Sequence, residues 1–225
     1  MSAKPPIALH LEPRVYTAAE RVADGSVHIL GVAASLVAAT ALMIAALKLP
    51  PASIVSLAIY GLGLIAVFAC SAAYHLATEA RLKAILRRFD HAAIYVKIAG
   101  TYTPFAMVKM GDAAGLALLA AVWAITAFGA TAKLLWPGRL ERTSYVLYLA
   151  QGWVIVAAFG PFASAVSGRV LVLLAAGGVI YTLGVIFHLW ERLPYHNAIW
   201  HGFVIAASAC HFAAIVDAVV FAASA

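Results

Sequence analysis

Residues 195–211 read YHNAIWHGFVIAASACH, an apolar stretch that carries three histidines, His196, His201 and His211. With the apolar residues that follow, it is long enough for a helix of roughly 20 residues, the length that crosses the hydrocarbon core of a bilayer. A polar group buried there without a partner costs about 2 kcal/mol or more. The stretch therefore predicts a transmembrane helix whose histidines need hydrogen-bond partners, a function, or both.

The rest of the chain is similarly apolar. Of its 225 residues, 65% are hydrophobic and 11% are charged, and its mean hydropathy is +0.97. A soluble domain of this size buries too little surface to hide so many apolar side chains. The formal net charge of +6 comes from basic residues in short connecting segments rather than in one patch. It therefore indicates membrane topology and argues against nucleic-acid binding.

Seven mostly apolar runs are long enough to span a bilayer. Turn-forming or charged segments separate them, and they lie at residues 26–47, 53–76, 90–109, 113–135, 144–164, 169–189 and 197–220. We therefore expect an all-α fold, a polytopic membrane protein built as a seven-transmembrane helix bundle over residues 26–225. Residues 1–25 are polar and lack the pattern of a cleavable signal sequence, which predicts a short cytoplasmic N-terminal arm.

The lysines and arginines predict which way the bundle points. Eleven of the fifteen lie in the arm and in the loops on its side of the membrane, three lie on the other side, and Lys97 lies within the third span. Cytoplasmic loops carry the excess of basic residues. The N-terminus is therefore expected in the cytoplasm and the C-terminus outside, in a multi-pass protein of the cell's inner or plasma membrane.

This orientation places several ionisable residues in one layer near the cytoplasmic face. Ionisable residues inside spans usually face the bundle interior and mark a functional site. A single histidine at the interfacial zone is more often structural, because its polar tip reaches water. The layer contains Asp90 and six histidines, His28, His75, His91, His188, His196 and His201.

Helical spacing separates these residues further. Ser71 and His75 are four residues apart, as are Asn197 and His201, so each pair lies on one helical face. His196 and His201 are five apart, about 140° around an ideal helix, and would converge only if the seventh span begins irregularly.

Asp90 has two explanations that the sequence leaves open. An acid in the first turn of a helix interacts favourably with the helix dipole and can cap the helix. The other explanation is that Asp90 is a catalytic acid. Lys97 follows Asp90 by seven residues and projects from the same side of the span. It could extend toward an interface or pair with a buried carboxylate, and its depth favours pairing or a position facing a cavity.

Three motifs carry a resemblance to a known family. They are SAAYH at 71–75, FDHAAIYVKIAGTYTPF at 89–105 and AIWHGFVIAASACHF at 198–212. In order and spacing they resemble the signatures of the hemolysin III family. That family is the bacterial branch of the superfamily of adiponectin and progestin receptors, with alkaline ceramidases as more distant relatives. The resemblance runs from the first predicted span to the seventh.

The resemblance implies a zinc ion held by a histidine of the second span and by an H-x-x-x-H pair at the start of the seventh. His75 matches the first of these ligands, and His201 matches the second histidine of the pair. Asp90 matches an aspartate close to the metal, and Ser71 matches the serine that accompanies the second-span histidine.

The first histidine of the pair has no match, because its position holds Asn197 and His196 is displaced by one residue. The third ligand is then His196, Asn197 or water. Zinc prefers imidazole nitrogen, which favours His196. A catalytic zinc usually has three protein ligands and one open position.

The resemblance favours a zinc-dependent intramembrane hydrolase of lipid amides or esters, with Asp90 and Ser71 as catalytic residues and a lipid or fatty-acyl group in the membrane as substrate. The alternative is a sensor or regulator of membrane state in which the metal is structural. A cytolysin is less favoured, because uninterrupted apolar spans are typical of a resident membrane protein. Both a single chain and a homo-oligomer are compatible with the sequence.

Overall fold

The computed structural model describes residues 16–136 and 141–223, and in this part of the chain the secondary structure is helical apart from short connections and contains no strand. The α-helices in this part are α1 (Ala18–Ala46), α2 (Pro51–Leu76), α3 (Ala80–Pro104), α4 (Ala113–Leu135), α5 (Glu141–Gly152), α6 (Phe159–Ala165), α7 (Gly168–Leu189) and α8 (His196–Ile215). Two π-helical segments, Phe105–Met110 and Val216–Val220, continue α3 and α8. A 3₁₀ segment, Val154–Ala158, separates α5 from α6.

Six segments of the described chain are long and apolar enough to cross a membrane. They are Ala18–Ala46, Pro51–Leu76, Ala113–Leu135, Thr143–Ala165, Gly168–Leu189 and His196–Val220. This supports the prediction of an all-α, multi-pass membrane protein. The third predicted span, 90–109, is not among the six, because α3 carries several charged residues. A seventh crossing and the orientation of the termini stay predictions.

Helix α1 begins at Ala18 rather than at residue 26, and a capping box explains its start. The Thr17 side chain accepts from the Glu20 backbone N–H, and the Glu20 side chain accepts from the Thr17 N–H. Such reciprocal bonds satisfy two backbone donors that a helix start leaves unpaired. Of the predicted arm, residues 1–15 lie outside the described residues.

Helix α3 also begins earlier than expected, at Ala80 rather than at residue 90. The Glu79 carboxylate accepts from the backbone N–H groups of Arg81 and Leu82, both at 2.7 Å. This cap starts the helix within the charged stretch before residue 90, which is expected to be a loop. Asp90 therefore lies well inside α3 and does not cap it.

The bundle forms around α2, which packs against α1 and α3, while α8 packs against α7 and α1. Lipid gives no hydrophobic drive for helix association, so close van der Waals contact and interhelical hydrogen bonds hold such helices together. Gly177 of α7 provides one close approach, since a Cβ there would clash with the His211 ring of α8. These contacts bring the ends of α1, α2, α3 and α8 to one side of the bundle.

Replacing Gly177 by alanine should destabilise the protein by about 1–3 kcal/mol, because the added methyl group overpacks the α7–α8 contact. Gly168→Ala in the same helix is the matched control, since a Cβ there meets nothing within 4 Å. Denaturant unfolding in detergent micelles measures both variants. Equal stability of the two variants would contradict this account of the α7–α8 contact.

Candidate metal centre

Three histidines from three helices meet at one end of the bundle. His28 lies in α1, His75 in the last turn of α2 and His201 near the start of α8. The ring centroids are 4.4 Å apart for His28 and His75, 4.1 Å for His28 and His201, and 4.7 Å for His75 and His201. One ligand nitrogen from each histidine lies within 4.8 Å of the others, which is close enough to hold a metal ion. We refer to these residues as the histidine cluster.

The Asp24 carboxylate contacts every member of the cluster. Its Oδ2 lies 3.0 Å from His75 Nδ1, and its Oδ1 lies 3.5 Å from His28 Nε2 and 3.8 Å from His201 Nδ1. Asp24 is not among the residues predicted from the sequence, because the first span is expected to begin at residue 26. The sequence feature that could identify Asp24 is its spacing, because it precedes His28 by four residues and both therefore lie on one face of α1.

Two buried atoms of this group have no hydrogen-bond partner among the described residues, Asp24 Oδ1 and His28 Nε2. An unsatisfied buried polar atom costs about 1–3 kcal/mol. Native proteins usually satisfy such atoms with a protein group, ordered water or an ion. The two orphaned atoms belong to the residues that would hold a metal ion, and both could contact it.

Contacts on both ring nitrogens define the tautomer of His201. Its Nδ1 lies 2.9 Å from the Asn197 carbonyl oxygen. Because a carbonyl can only accept, Nδ1 carries the proton in the neutral ring and Nε2 presents a lone pair. The Ser71 hydroxyl lies 3.1 Å from this Nε2 and can donate to it. Asn197 thus contacts His201 through its backbone.

Asp90 and Ser71 lie beside the cluster and are buried, with 8% and 5% of their surfaces exposed. Asp90 interacts with the Ser71 hydroxyl and electrostatically with His75. The hydroxyl has one proton, so it can donate either to Asp90 or to His201. The structure thus brings Ser71, His75, Asp90 and His201 together.

The side chains of His196 and Asn197 contact Tyr16 rather than the histidine cluster. The Tyr16 hydroxyl lies 3.1 Å from His196 Nε2 and accepts a hydrogen bond from Asn197 Nδ2 at 3.4 Å. Neither side chain belongs to the cluster, where His28 takes the third histidine position. The irregular entry to the last helix does exist, at Tyr195 with φ 61°. However, α8 is regular from His196 onward, so the angle between His196 and His201 is preserved.

The buried side chain of Glu20 ties the start of α1 to the start of α8. Its Oε2 accepts from Thr17 N at 2.9 Å, and its Oε1 accepts from Tyr195 N at 3.1 Å. Tyr195 has a left-handed backbone conformation, which is uncommon for a residue other than glycine. This pair of contacts fixes the helix that carries His28 relative to the helix that carries His201.

A cavity of about 130 Å³ opens beside the cluster, with Asp24 and His75 in its wall. Arg21, Lys83 and Asn197 also line it. A water molecule occupies about 30 Å³ in the liquid, so the cavity has room for a few waters or one small polar group. It connects the cluster with the outside of the bundle.

The chain is similar in sequence to known proteins. A family model described as Haemolysin-III related matches residues 17–212. The chain is 37% identical to the Hemolysin-3 homolog of Bacillus subtilis, over 88% of this chain and 93% of that protein. It is 36% identical to Hemolysin-3 of Bacillus cereus, over 86% and 89%. It is 31% identical to the Monocyte to macrophage differentiation factor of Homo sapiens, over 70% and 67%. No solved structure matches the chain significantly.

Replacing Glu20 by alanine should lower the free energy of unfolding by about 1–3 kcal/mol, because the start of α1 loses its capping box and the Tyr195 N–H loses its acceptor. Tyr195→Gly should cause no loss, since glycine keeps the N–H and adopts positive φ readily. Denaturant unfolding in detergent tests both. A Tyr195→Gly loss as large as that of Glu20→Ala would show that the Tyr195 side chain, and not its N–H, carries the contact.

Proposed function

The chain belongs to the hemolysin III family, and from this membership and the histidine cluster we propose that it is a zinc-dependent hydrolase of lipid amides or esters. The observation that carries the proposal is the convergence of three imidazoles and a carboxylate from remote parts of the sequence, beside a cavity. Its substrate would be a lipid or fatty-acyl group of the cell's inner or plasma membrane.

The side chains present fit a zinc ion. Three histidines with one open position are a common catalytic zinc site, and imidazole nitrogen suits zinc well. The two orphaned atoms, Asp24 Oδ1 and His28 Nε2, would gain a positive partner. His28, His75 and His201 are the proposed ligands, so His28 takes the place that the sequence analysis gives to His196 or Asn197.

Residues around the cluster would orient the ligands. The His201 Nδ1 proton already points to the Asn197 carbonyl oxygen at 2.9 Å, and His75 Nδ1 lies 3.0 Å from Asp24. Such bonds fix the tautomer and ring orientation of a metal-bound histidine, leaving the other nitrogen for the ion. These bonds would leave Nε2 of His75 and Nε2 of His201 available to hold the ion.

Zinc, when bound, would supply Lewis acidity for attack on an acyl carbonyl group. Asp90 would accept a proton from the attacking water, since it is buried and close to the cluster. Ser71 would donate a hydrogen bond from its hydroxyl to the oxyanion that develops on the carbonyl oxygen. The cavity would admit water from outside the bundle, while the surrounding helices exclude bulk solvent.

A second function, a sensor or regulator without catalysis, is favoured by the position of Asp24. Its carboxylate contacts all three histidines at 3.0–3.8 Å, so it could serve as a fourth protein ligand. A site closed by four protein ligands is typical of structural zinc. The choice between enzyme and sensor therefore depends on whether Asp24 binds the ion or orients His75.

The metal ligands can be tested by elemental analysis of protein purified in detergent. His28→Ala, His75→Ala and His201→Ala should each lose most of the zinc, because each removes one of three imidazole ligands. His196→Ala is the matched control and should retain it, because His196 contacts Tyr16 instead. Zinc retained in all three ligand variants, or lost only in His196→Ala, would contradict the assignment.

Catalysis can be tested with zinc-loaded protein and a panel of N-acyl and ester lipids in vesicles. The unmodified protein should release fatty acid, and Asp90→Asn should slow release by about 10²–10⁴-fold, because it removes a general base. Zinc content should remain unchanged in Asp90→Asn. Zinc-loaded protein that releases no fatty acid from any lipid would favour the sensor.

A further inference from the structure

The first ten residues of α3, 80–89, form a helical segment with separate apolar and basic faces; we name it the basic segment. Its large apolar residues recur at spacings of three and four and are Leu82, Ile85, Leu86 and Phe89. At 100° per residue these four fall within an arc of about 100°. Its basic residues flank this arc on both sides and are Arg81, Lys83, Arg87 and Arg88.

The apolar stripe is exposed although it lies outside the most apolar part of α3. Leu82, Ile85 and Phe89 are 47%, 41% and 48% exposed. Asp90, the next residue, lies beside the histidine cluster, and a rise of 1.5 Å per residue places Leu82 about 12 Å further along the helix axis. That distance spans the headgroup region, which adds roughly 5–8 Å to each side of the hydrocarbon core.

This arrangement fits a membrane surface. A helical segment with an apolar stripe bordered by lysines and arginines is typical of the membrane interface, where the stripe contacts the boundary between headgroups and acyl chains and the cations lie near the phosphates. Topology alone requires only that basic residues lie on one side of the membrane. It does not require cations on both borders of an exposed apolar stripe.

Lys83 connects this surface with the cavity. It belongs to the basic segment and also lines the cavity, together with Arg21 of α1. Its ammonium group lies 5.4 Å from the centre of the Tyr74 ring, next to His75 in the sequence. The cations of the basic segment thus extend to the cavity whose wall contains Asp24 and His75.

We propose that the basic segment and Arg21 bind the headgroups of anionic phospholipids and present them to the cavity beside the histidine cluster. Where it concerns the substrate, this rests on the proposed hydrolase function and names an anionic lipid as the substrate class. The headgroup phosphate contacts Arg21 and Lys83 at the cavity, and the acyl chains lie along the apolar stripe of α3.

The test measures binding of phosphatidylglycerol and phosphatidylcholine to the purified full-length chain in neutral detergent by native mass spectrometry. The test variant combines Arg81→Gln, Lys83→Gln and Arg88→Gln. The matched control combines Lys48→Gln, Lys109→Gln and Arg169→Gln, which removes the same charge from the other end of the bundle. Soluble glycerol 3-phosphate, added as a competitor, distinguishes a free anion from a lipid headgroup.

The unmodified chain should prefer phosphatidylglycerol, and the test variant should bind it roughly a hundredfold more weakly, about fivefold for each cation removed. Added salt should weaken binding to the unmodified chain, and the control variant should bind as the unmodified chain does. Equal affinity for both lipids, an equal loss in the control variant, or full displacement by glycerol 3-phosphate would overturn the proposal.

Zinc content of the same preparations separates this proposal from the proposed function. A test variant that keeps zinc and loses its lipid preference supports the surface. An unmodified chain without zinc that still prefers phosphatidylglycerol supports the surface and removes the hydrolase. A zinc-containing unmodified chain that lacks the preference overturns the surface alone.

Discussion

The contact of Asp24 with three histidines is the constraint on which the bundle depends. In a membrane interior there is little water to solvate a polar side chain, so buried polar groups must satisfy one another. His28, His75 and His201 each come from a different helix, and each lies within 4 Å of the same carboxylate. Separating α1, α2 and α8 would leave these buried groups without partners, so their contacts fix the three helices relative to one another.

Other buried polar groups also form hydrogen bonds between helices, at different depths in the bundle. Glu20 joins the starts of α1 and α8. Deeper in the bundle, Lys97 donates to the Tyr181 hydroxyl at 2.5 Å, and Tyr181 bonds Ser208 at 2.7 Å. Lys97 thus has a buried partner, but that partner is a tyrosine hydroxyl and not the carboxylate that the sequence suggests. Interhelical hydrogen bonds therefore hold four helices at two levels, and glycines allow the close packing between them.

Much of the fold was accessible from the sequence. The last predicted span, 197–220, and the sixth, 169–189, differ from the structure by one residue at their starts, because long apolar runs define their own ends. The starts of α1 and α3 were missed, since side-chain caps and not apolar runs decide them. The resemblance to the hemolysin III family is confirmed by the family model and by both bacterial relatives.

The sequence by itself determined the membrane-embedded helical class, the family and a layer of ionisable residues at one end of the bundle, because composition and helical period are local properties. Only the tertiary structure decided which members of that layer meet. His28 joins His75 and His201, Asp24 contacts all three, and His196 turns to Tyr16. Such choices depend on how helices rotate and pack against one another, which the spacing within one helix does not specify.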